Sequence, residues 1–378
     1  MTKRARLRMS DVHGLQRLAI DATLGVTDLV EAMHRAVADL RPPIGKSRGD
    51  RTRGLTGFVY QSVRGVTRVV GAGADAVLGR LAAFGGDAAS SPEREAALAV
   101  LNGVLGDHLA RTRNPLAIAM RVRSAGAAVA LAPDALSRAF PDATSHVVVL
   151  LHGLCMNDLL WRRDGHDHGA ALASDLGLTP VYVHYNTGLA IAANGAELDA
   201  LLRDLVDAWP RPVETLTLIG HSMGGLVARR AMESAMRHGH AWIDLLDAYV
   251  CLGTPHLGAP LERAGSWVDH LASLSPYSAP FARLGKLRSV GIQDLRHALP
   301  GDLPLPAHLR AYAIAGSLQK APRKPGARVH GDGLVTVRSA LGMEMPESHR
   351  HIAYGTGHLD LLGSRGVYAR MRAWIGER

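Results

Sequence analysis

Gly220-His221-Ser222-Met223-Gly224 stands between an apolar run, Leu216–Ile219, and a helix-like stretch that begins at Gly225. A serine flanked in this way by glycines at a strand-to-helix junction is the pattern of a nucleophile elbow. The turn of such an elbow is so tight that only small residues fit on either side of the serine. The pattern therefore predicts that Ser222 is a nucleophile and that Gly220 and Gly224 support its turn.

A serine nucleophile needs a base that takes its proton and an acid that orients the base. On a parallel sheet with this elbow, the three groups follow one another as serine, acid and histidine. Asp332 follows the predicted strand Leu309–Ala315, and His358 follows the last predicted strand, His351–Tyr354. We therefore predict that His358 is the base and that Asp332 is its partner.

The oxyanion that forms during acyl transfer needs two backbone N–H donors. We predict one donor at Met223, directly after the nucleophile, and the other at Leu154, in the loop after the strand Val147–Leu151. Gly153 gives this loop room, and His152 is expected to brace it. Direct proton transfer by His152 is the alternative.

From about residue 113 onward, short apolar runs alternate with helical patterns, which is typical of a parallel sheet covered on both faces by helices. Residues 1–112 instead repeat apolar side chains at helical spacing and predict a separate all-helical region. Residues 257–306 show no core strand, so a helical lid over the site is expected there, with an ungated packed excursion as the alternative. The predicted strands are Val147–Leu151, Pro180–His184, Leu216–Ile219, Ala248–Leu252, Leu309–Ala315 and His351–Tyr354.

The composition favours a globular protein and argues against a nucleic-acid-binding or membrane-spanning one. Of the 378 residues, 47% are hydrophobic, so a substantial core is expected. The net charge of +9 is scattered, and only 4% of the residues are aromatic, which argues against a nucleic-acid partner. No apolar run approaches the roughly 20 residues of a membrane-spanning helix. The basic N-terminus shows no export signal, and Cys155 and Cys251 form no disulfide framework, so a cytoplasmic protein with reduced thiols is expected.

Six segments between about residue 145 and the C-terminus together resemble the bacterial lipase/esterase branch of the α/β-hydrolase superfamily. The resemblance implies an α/β-hydrolase fold and hydrolysis of apolar acyl esters through an acyl-serine intermediate, without a redox or nucleotide cofactor. Acyl transfer to another acceptor, cleavage of an intracellular polyester, and a lipid- or partner-binding scaffold are the alternatives. The six segments are His152-Gly153-Leu154, Tyr185-Asn186-Thr187-Gly188, Gly220–Gly225, Gly253–Gly258, Asp332–Val335 and His358-Leu359-Asp360.

Two features depart from similar secreted lipases, namely the lack of an export signal and the lack of a complete calcium site. Those enzymes hold a structural calcium with the aspartate that matches Asp360, but calcium takes six or more oxygen ligands and the sequence shows no second ligand set. We therefore predict no bound metal and expect Asp360 to cap the last helix. The expected partner is a small-molecule or lipid ester. The N-terminal helices are expected to pack on the catalytic domain, with a membrane or granule contact, or dimerisation, as alternatives.

Overall fold

The computed structural model describes residues 8–38, 60–72, 74–75, 91–258, 289–295, 305–320, 329–342 and 345–377. The chain divides into two compact units. The N-terminal unit comprises Met1–Ala89 and Arg111–Leu116, and the second unit comprises Ser90–Ala110 and Ala117–Arg378. Within the described ranges, no helix is long and apolar enough to cross a membrane.

An eight-stranded sheet, which is mostly parallel, forms the centre of the second unit. Its order is β10-β9-β8-β7-β3-β6-β1-β2, in which β1 is antiparallel to both of its neighbours and the remaining pairs are parallel. Strands β4 and β5 form a separate antiparallel hairpin. The strands are β1 (Arg121–Ser124), β2 (Ala127–Val129), β3 (His146–Leu151), β4 (Arg162–Arg163), β5 (His166–Asp167), β6 (Thr179–His184), β7 (Thr215–His221), β8 (Leu246–Leu252), β9 (Arg310–Ser317) and β10 (Arg350–Tyr354).

The parallel strands are apolar along most of their length because they are covered on both faces. In β3, every residue from Val147 to Leu151 is buried, and β8 is buried from Ala248 to Leu252. All six predicted strands are present, and their ends differ from the predictions by at most two residues. Strands β1 and β2 were not predicted, because short strands with exposed charged and small residues lack the apolar pattern of the central strands.

Helices precede and follow the strands of this sheet. The helix-like stretch that begins at Gly225 lies within α7. Ser91 caps the start of α3, with its Oγ accepting the N–H of Arg94 at 3.3 Å and with Pro92 at the first helical position. The helices are α1 (Met9–Ala38), α2 (residues 60–72 and 74–75), α3 (Pro92–Arg111), α4 (Pro133–Ala139), α5 (His168–Leu176), α6 (Ile191–Ala208), α7 (Met223–His238), α8 (Val290–Asp294), α9 (Val337–Ala340) and α10 (Arg365–Gly376).

Polar contacts join α1 to α2 in the N-terminal unit. The buried Arg64 guanidinium pairs with Asp28 at 2.5 Å and with Glu31, and His13 contacts Asp75 at 2.6 Å. The apolar side chain of Leu15 in α1, by contrast, is 48% exposed. The region is helical where it is described, as predicted, but charged groups hold its helices together.

Helix α3 is built into the second unit. A methyl group on Gly103 would overlap Cys155 Sγ, and one on Gly106 would overlap the side chain of Asn186. The Asn186 amide also donates to the Gly106 carbonyl at 3.0 Å. The helix backbone thus touches the loops after β3 and β6, and α3 groups with the sheet rather than with the helical region that was predicted to end at residue 112.

We expect Gly103→Ala to lower the free energy of unfolding by about 1–3 kcal/mol, because the added methyl group forces α3 away from Cys155. Urea denaturation measures this change. Gly366→Ala is the control, since Gly366 lies in α10 with its nearest neighbour, Ser364 Oγ, 3.7 Å from the added carbon. The control should be neutral or stabilising by about 0.5–1 kcal/mol. Equal stability of Gly103→Ala and wild type would contradict the close packing of α3.

The second unit also contains several buried histidines. Burial lowers the pKa of His152, His184, His221 and His256 from 6.5 to about 3, and that of His168 to about 4. These rings are neutral in the folded protein, whereas the unfolded chain protonates them near pH 6.5. The unfolded state therefore binds more protons between about pH 4 and 6.5, so stability is lost as the pH falls through this window.

We predict that, as the pH falls from the unfolded to the folded pKa of such a histidine, each histidine lowers the free energy of unfolding by about 1.4 kcal/mol per pH unit. Urea denaturation at a series of pH values measures the slope. His256→Gln should reduce the slope by the contribution of one proton, because glutamine does not titrate. His256 suits this test because neither of its ring nitrogens has a hydrogen-bond partner among the described residues. Arg203→Gln, an exposed control, should keep the wild-type slope. A wild-type slope in His256→Gln would contradict the prediction.

Candidate active site

Ser222 lies between β7 and α7 with the strained backbone of an elbow. Its φ of 54° and ψ of −122° belong to a region that residues other than glycine seldom adopt. Its N–H donates to the Leu252 carbonyl of β8 at 2.8 Å, which holds the turn against the next strand. A Cβ on Gly220 would overlap Gly225, and one on Gly224 would overlap the end of β3. Both predicted glycines are therefore required by the packing.

The loops after β9 and β10 bring Asp332 and His358 together. His358 Nδ1 is 2.7 Å from Asp332 Oδ2, and both side chains are buried. The other carboxylate oxygen, Oδ1, accepts the backbone N–H groups of Leu334 at 2.9 Å and Val335 at 2.7 Å. Three groups thus position the carboxylate, and the His358 backbone N–H donates to the backbone carbonyl of Asp332 at 3.1 Å.

The charge of Asp332 follows from these contacts. Burial acts to raise the pKa of its carboxyl, but the His358 ring and the backbone N–H groups of Leu334 and Val335 outweigh burial and lower the pKa below its ordinary value. Asp332 is therefore a carboxylate at neutral pH, and it accepts a hydrogen bond from the protonated Nδ1 of His358. This tautomer leaves Nε2 as the nitrogen that can act as a base.

His221 links the elbow to the histidine loop. Its Nε2 donates to the His358 carbonyl at 3.0 Å, and the two rings lie 4.7 Å apart. Burial lowers the pKa of His221 to about 3, so the ring is neutral and keeps this donor. Sequence reasoning did not assign a role to His221, although its place inside the elbow pentapeptide was the available signal.

Ser222 is almost fully enclosed. The residue is 1% exposed, and its Oγ has no hydrogen-bond partner among the described residues. The neighbouring Gly153, from the loop after β3, is so close that a methyl group on it would lie 3.0 Å from Ser222 Cβ. The structure thus places the predicted oxyanion loop directly beside the predicted nucleophile.

His152 holds this loop through both of its ring nitrogens. Nδ1 donates to the Gly153 carbonyl at 2.9 Å, and Nε2 accepts the Tyr185 N–H at 3.4 Å. The Tyr185 hydroxyl donates to the His152 carbonyl at 2.6 Å, and the two rings stack at 4.4 Å. Since both nitrogens are occupied in a neutral ring, the contacts favour the bracing role that was predicted for His152.

Leu154 and Met223, the predicted oxyanion donors, are both buried. Met223 is the first residue of α7, where an N–H has no carbonyl partner one turn back in the helix. Cys155 follows Leu154 with a φ of 57°, and its N–H donates to Thr187 Oγ1 at 3.1 Å. This strained turn is therefore fixed from the neighbouring loop after β6.

The prediction that Asp360 caps the last helix is wrong. One carboxylate oxygen of Asp360 accepts the Gly357 N–H at 3.2 Å, and the other is 3.3 Å from the Arg163 guanidinium. Ser364 caps α10 instead, with its Oγ accepting the Val367 N–H at 3.3 Å. In the part of the chain that the structure describes, no group of three or more His, Cys, Asp or Glu is arranged to hold a metal ion.

Most of the predicted lid, 257–306, lies outside the described residues, which include only 257–258, 289–295 and 305–306 of it. The described part around α8 contacts α3 and the loop after β6. Ser289 Oγ donates to the Gly103 carbonyl at 2.6 Å, and the Gly291 N–H donates to the Gly188 carbonyl at 3.1 Å. Gating by this segment stays a prediction.

Comparison with known proteins finds matches to part of the chain. Residues 182–294, which include the elbow, match the model of the PGAP1-like alpha/beta domain. Esterase PIR7B of Oryza sativa subsp. japonica is 34% identical over 126 residues, which are 30% of this chain and 42% of the length of that relative. The match therefore spans less than half of the curated relative.

Solved structures are similar at low identity. The mature form of Bacillus licheniformis lipase BlEst2 has a TM-score of 0.42 and 18% identity, covering 61% of this chain and 91% of the lipase chain. The Pyrococcus furiosus esterase Pf2001 has a TM-score of 0.38 and 14% identity, covering 62% and 82% of the two chains. The strand order, the elbow and the partial family match together show an α/β-hydrolase fold with additional N-terminal helices.

Proposed function

We propose that this chain is a serine carboxylester hydrolase of the bacterial lipase/esterase type, which cleaves apolar acyl esters through an acyl-serine intermediate. The observation that carries the proposal is the buried pair of His358 and Asp332, joined at 2.7 Å, at the same sheet edge as the strained Ser222. The rice relative, which is named an esterase, supports the reaction class.

In this proposal, His358 Nε2 takes the proton of Ser222 as Oγ bonds to the ester carbonyl carbon, and the π electron pair of the carbonyl moves onto its oxygen. The backbone N–H groups of Leu154 and Met223 stabilise the oxyanion. When the carbonyl re-forms, the alcohol leaves with the proton from His358. Water, deprotonated by the same nitrogen, then releases the acid and restores Ser222, while Asp332 stabilises each imidazolium.

The surroundings of Ser222 favour an apolar acyl group. Leu154, Met156 and Met223 are buried next to the elbow and the loop after β3. A methyl group on Gly153 would lie 3.1 Å from Met156 Sδ, which places the thioether at the same loop as Ser222. Apolar walls with a few polar groups are typical of sites for such ligands.

We expect a fluorophosphonate probe to add one adduct to the wild-type protein at Ser222, because the probe phosphonylates an activated serine hydroxyl. Ser222→Ala should lose both the adduct and turnover of p-nitrophenyl esters, whereas Ser137→Ala, a control at an exposed serine, should keep both. Intact mass and peptide mapping measure the adduct. Labelling at another residue, or turnover that survives in Ser222→Ala, would overturn the assignment of the nucleophile.

We expect Asp332→Asn to lower kcat by about 10³–10⁴-fold, because the neutral amide no longer holds the proton on His358 Nδ1 or stabilises the imidazolium. Asp360→Asn is the matched control, since Asp360 lies two residues after His358 but pairs with Arg163. The control should keep kcat within about threefold of wild type. Steady-state kinetics on a p-nitrophenyl ester measure both. Equal losses in the two variants would remove the special role of Asp332.

The cellular location and further partners stay predictions: the cytoplasm, a small-molecule or lipid ester, and contact of the N-terminal helices with a membrane or granule. Exposed apolar side chains on α2, Val66 and Val69 among them, are compatible with a surface contact. The helices' charged contacts with each other are equally compatible with internal packing.

A further inference from the structure

A cleft of about 450 Å³ lies at the β4–β5 hairpin, and none of its lining residues belongs to the proposed catalytic machinery. Asp164 and Gly165 form the hairpin turn with φ values of 51° and 71°, and this turn sets Arg162 opposite Asp167. The starts of α5 and α10 complete the cleft. Its lining is Arg162, Gly165, His166, Asp167, Ala170, Ala171 and Arg365.

Two guanidinium groups of this cleft have no acidic partner in the described part of the chain. Arg162 and Arg365 form no ion pair or side-chain hydrogen bond with any residue of the described ranges. Other arginines nearby are paired: Arg163 lies 3.3 Å from Asp360, and Arg372 lies 3.1 Å from Asp175. The two arginines of the cleft are thus exposed and unpaired within the described ranges, whereas the arginines near them have acidic partners.

The carboxylate in the cleft is already engaged. Asp167 Oδ1 accepts the Tyr182 hydroxyl at 2.5 Å and the Ala170 N–H at 3.1 Å, which makes Asp167 the N-cap of α5. These donors disperse part of its negative charge. With one acidic side chain against two guanidiniums, the lining keeps a net positive charge.

A hydrogen-bonded pair of histidines lies at one wall of the cleft, and the positive charge acts on one of them. His166 Nε2 is 2.8 Å from His168 Nδ1, and His168 Nε2 donates to the Leu361 carbonyl at 2.9 Å. Burial, followed by the charge of Arg365, lowers the pKa of His166. The Arg365 guanidinium therefore acts on the buried His166 ring, which is hydrogen-bonded to His168.

We propose that this cleft binds a phosphate group between Arg162 and Arg365. Planar guanidiniums present paired N–H donors that match phosphate oxygens, and a dianion offsets two positive charges at once. Because α10 begins at Arg365, its first N–H groups add to the positive potential of the same cleft. The phosphate group is either free or carried by a lipid headgroup.

Isothermal titration of the full chain with inorganic phosphate tests the proposal. We expect Arg162→Gln and Arg365→Gln each to weaken binding about tenfold or more, and the double variant to abolish it. Arg372→Gln is the matched control on α10, because its guanidinium pairs with Asp175 outside the cleft, and it should keep the wild-type affinity. All three arginines are exposed, so the variants should fold.

Sedimentation with phosphatidylcholine vesicles, with and without phosphatidic acid, separates the two sources of phosphate. Arginine-dependent binding to the vesicles with phosphatidic acid would assign a headgroup, and binding of inorganic phosphate alone would assign a free anion; each supports the site. The proposal fails if the wild type binds neither probe, or if the double variant binds as well as the control. None of these variants changes Ser222, so the outcomes are independent of the proposed ester hydrolysis.

Discussion

The parallel pairing of β7 with β3 on one side and β8 on the other is the constraint on which the candidate site depends. Gly220 is in register with Leu151 and with Cys251, so three strands end at the same level of the sheet. Their connecting loops leave together and must share a small space. This crowding explains the glycines: a Cβ on Gly253, after β8, would lie 3.1 Å from both Asp332 Oδ2 and His358 Nδ1.

Strand ends were predictable because they depend on local patterns. The apolar runs of the central strands identify the sheet, and residues that follow parallel strands meet at one edge, so Ser222, Asp332 and His358 were expected together from sequence alone. The structure brings Asp332 and His358 into contact at 2.7 Å although 26 residues separate them. Their chemical roles are still a proposal, because geometry alone does not show turnover.

Long-range partners were not predictable. Asp360 looked like a helix cap because the sequence does not show Arg163, its partner 197 residues away, while the true cap, Ser364, lies nearer to the helix. Helix α3 was grouped with the N-terminal helices because periodicity reveals an apolar face but not what it packs against. Gly103 and Gly106 were the available signal, since small residues three apart allow a helix backbone to approach its neighbours closely.

Two neighbouring histidines show how environment separates structural from chemical roles. The rings of His221 and His358 lie 4.7 Å apart and both are buried, but their partners differ. His221 donates to a carbonyl, which has no full charge with which to stabilise an imidazolium, and burial keeps this ring neutral. His358 faces the Asp332 carboxylate, which offsets a positive charge on the ring. The site thus uses one neutral histidine as a fixed donor to the backbone of the other, and reserves the carboxylate for the ring that is proposed to gain and lose a proton.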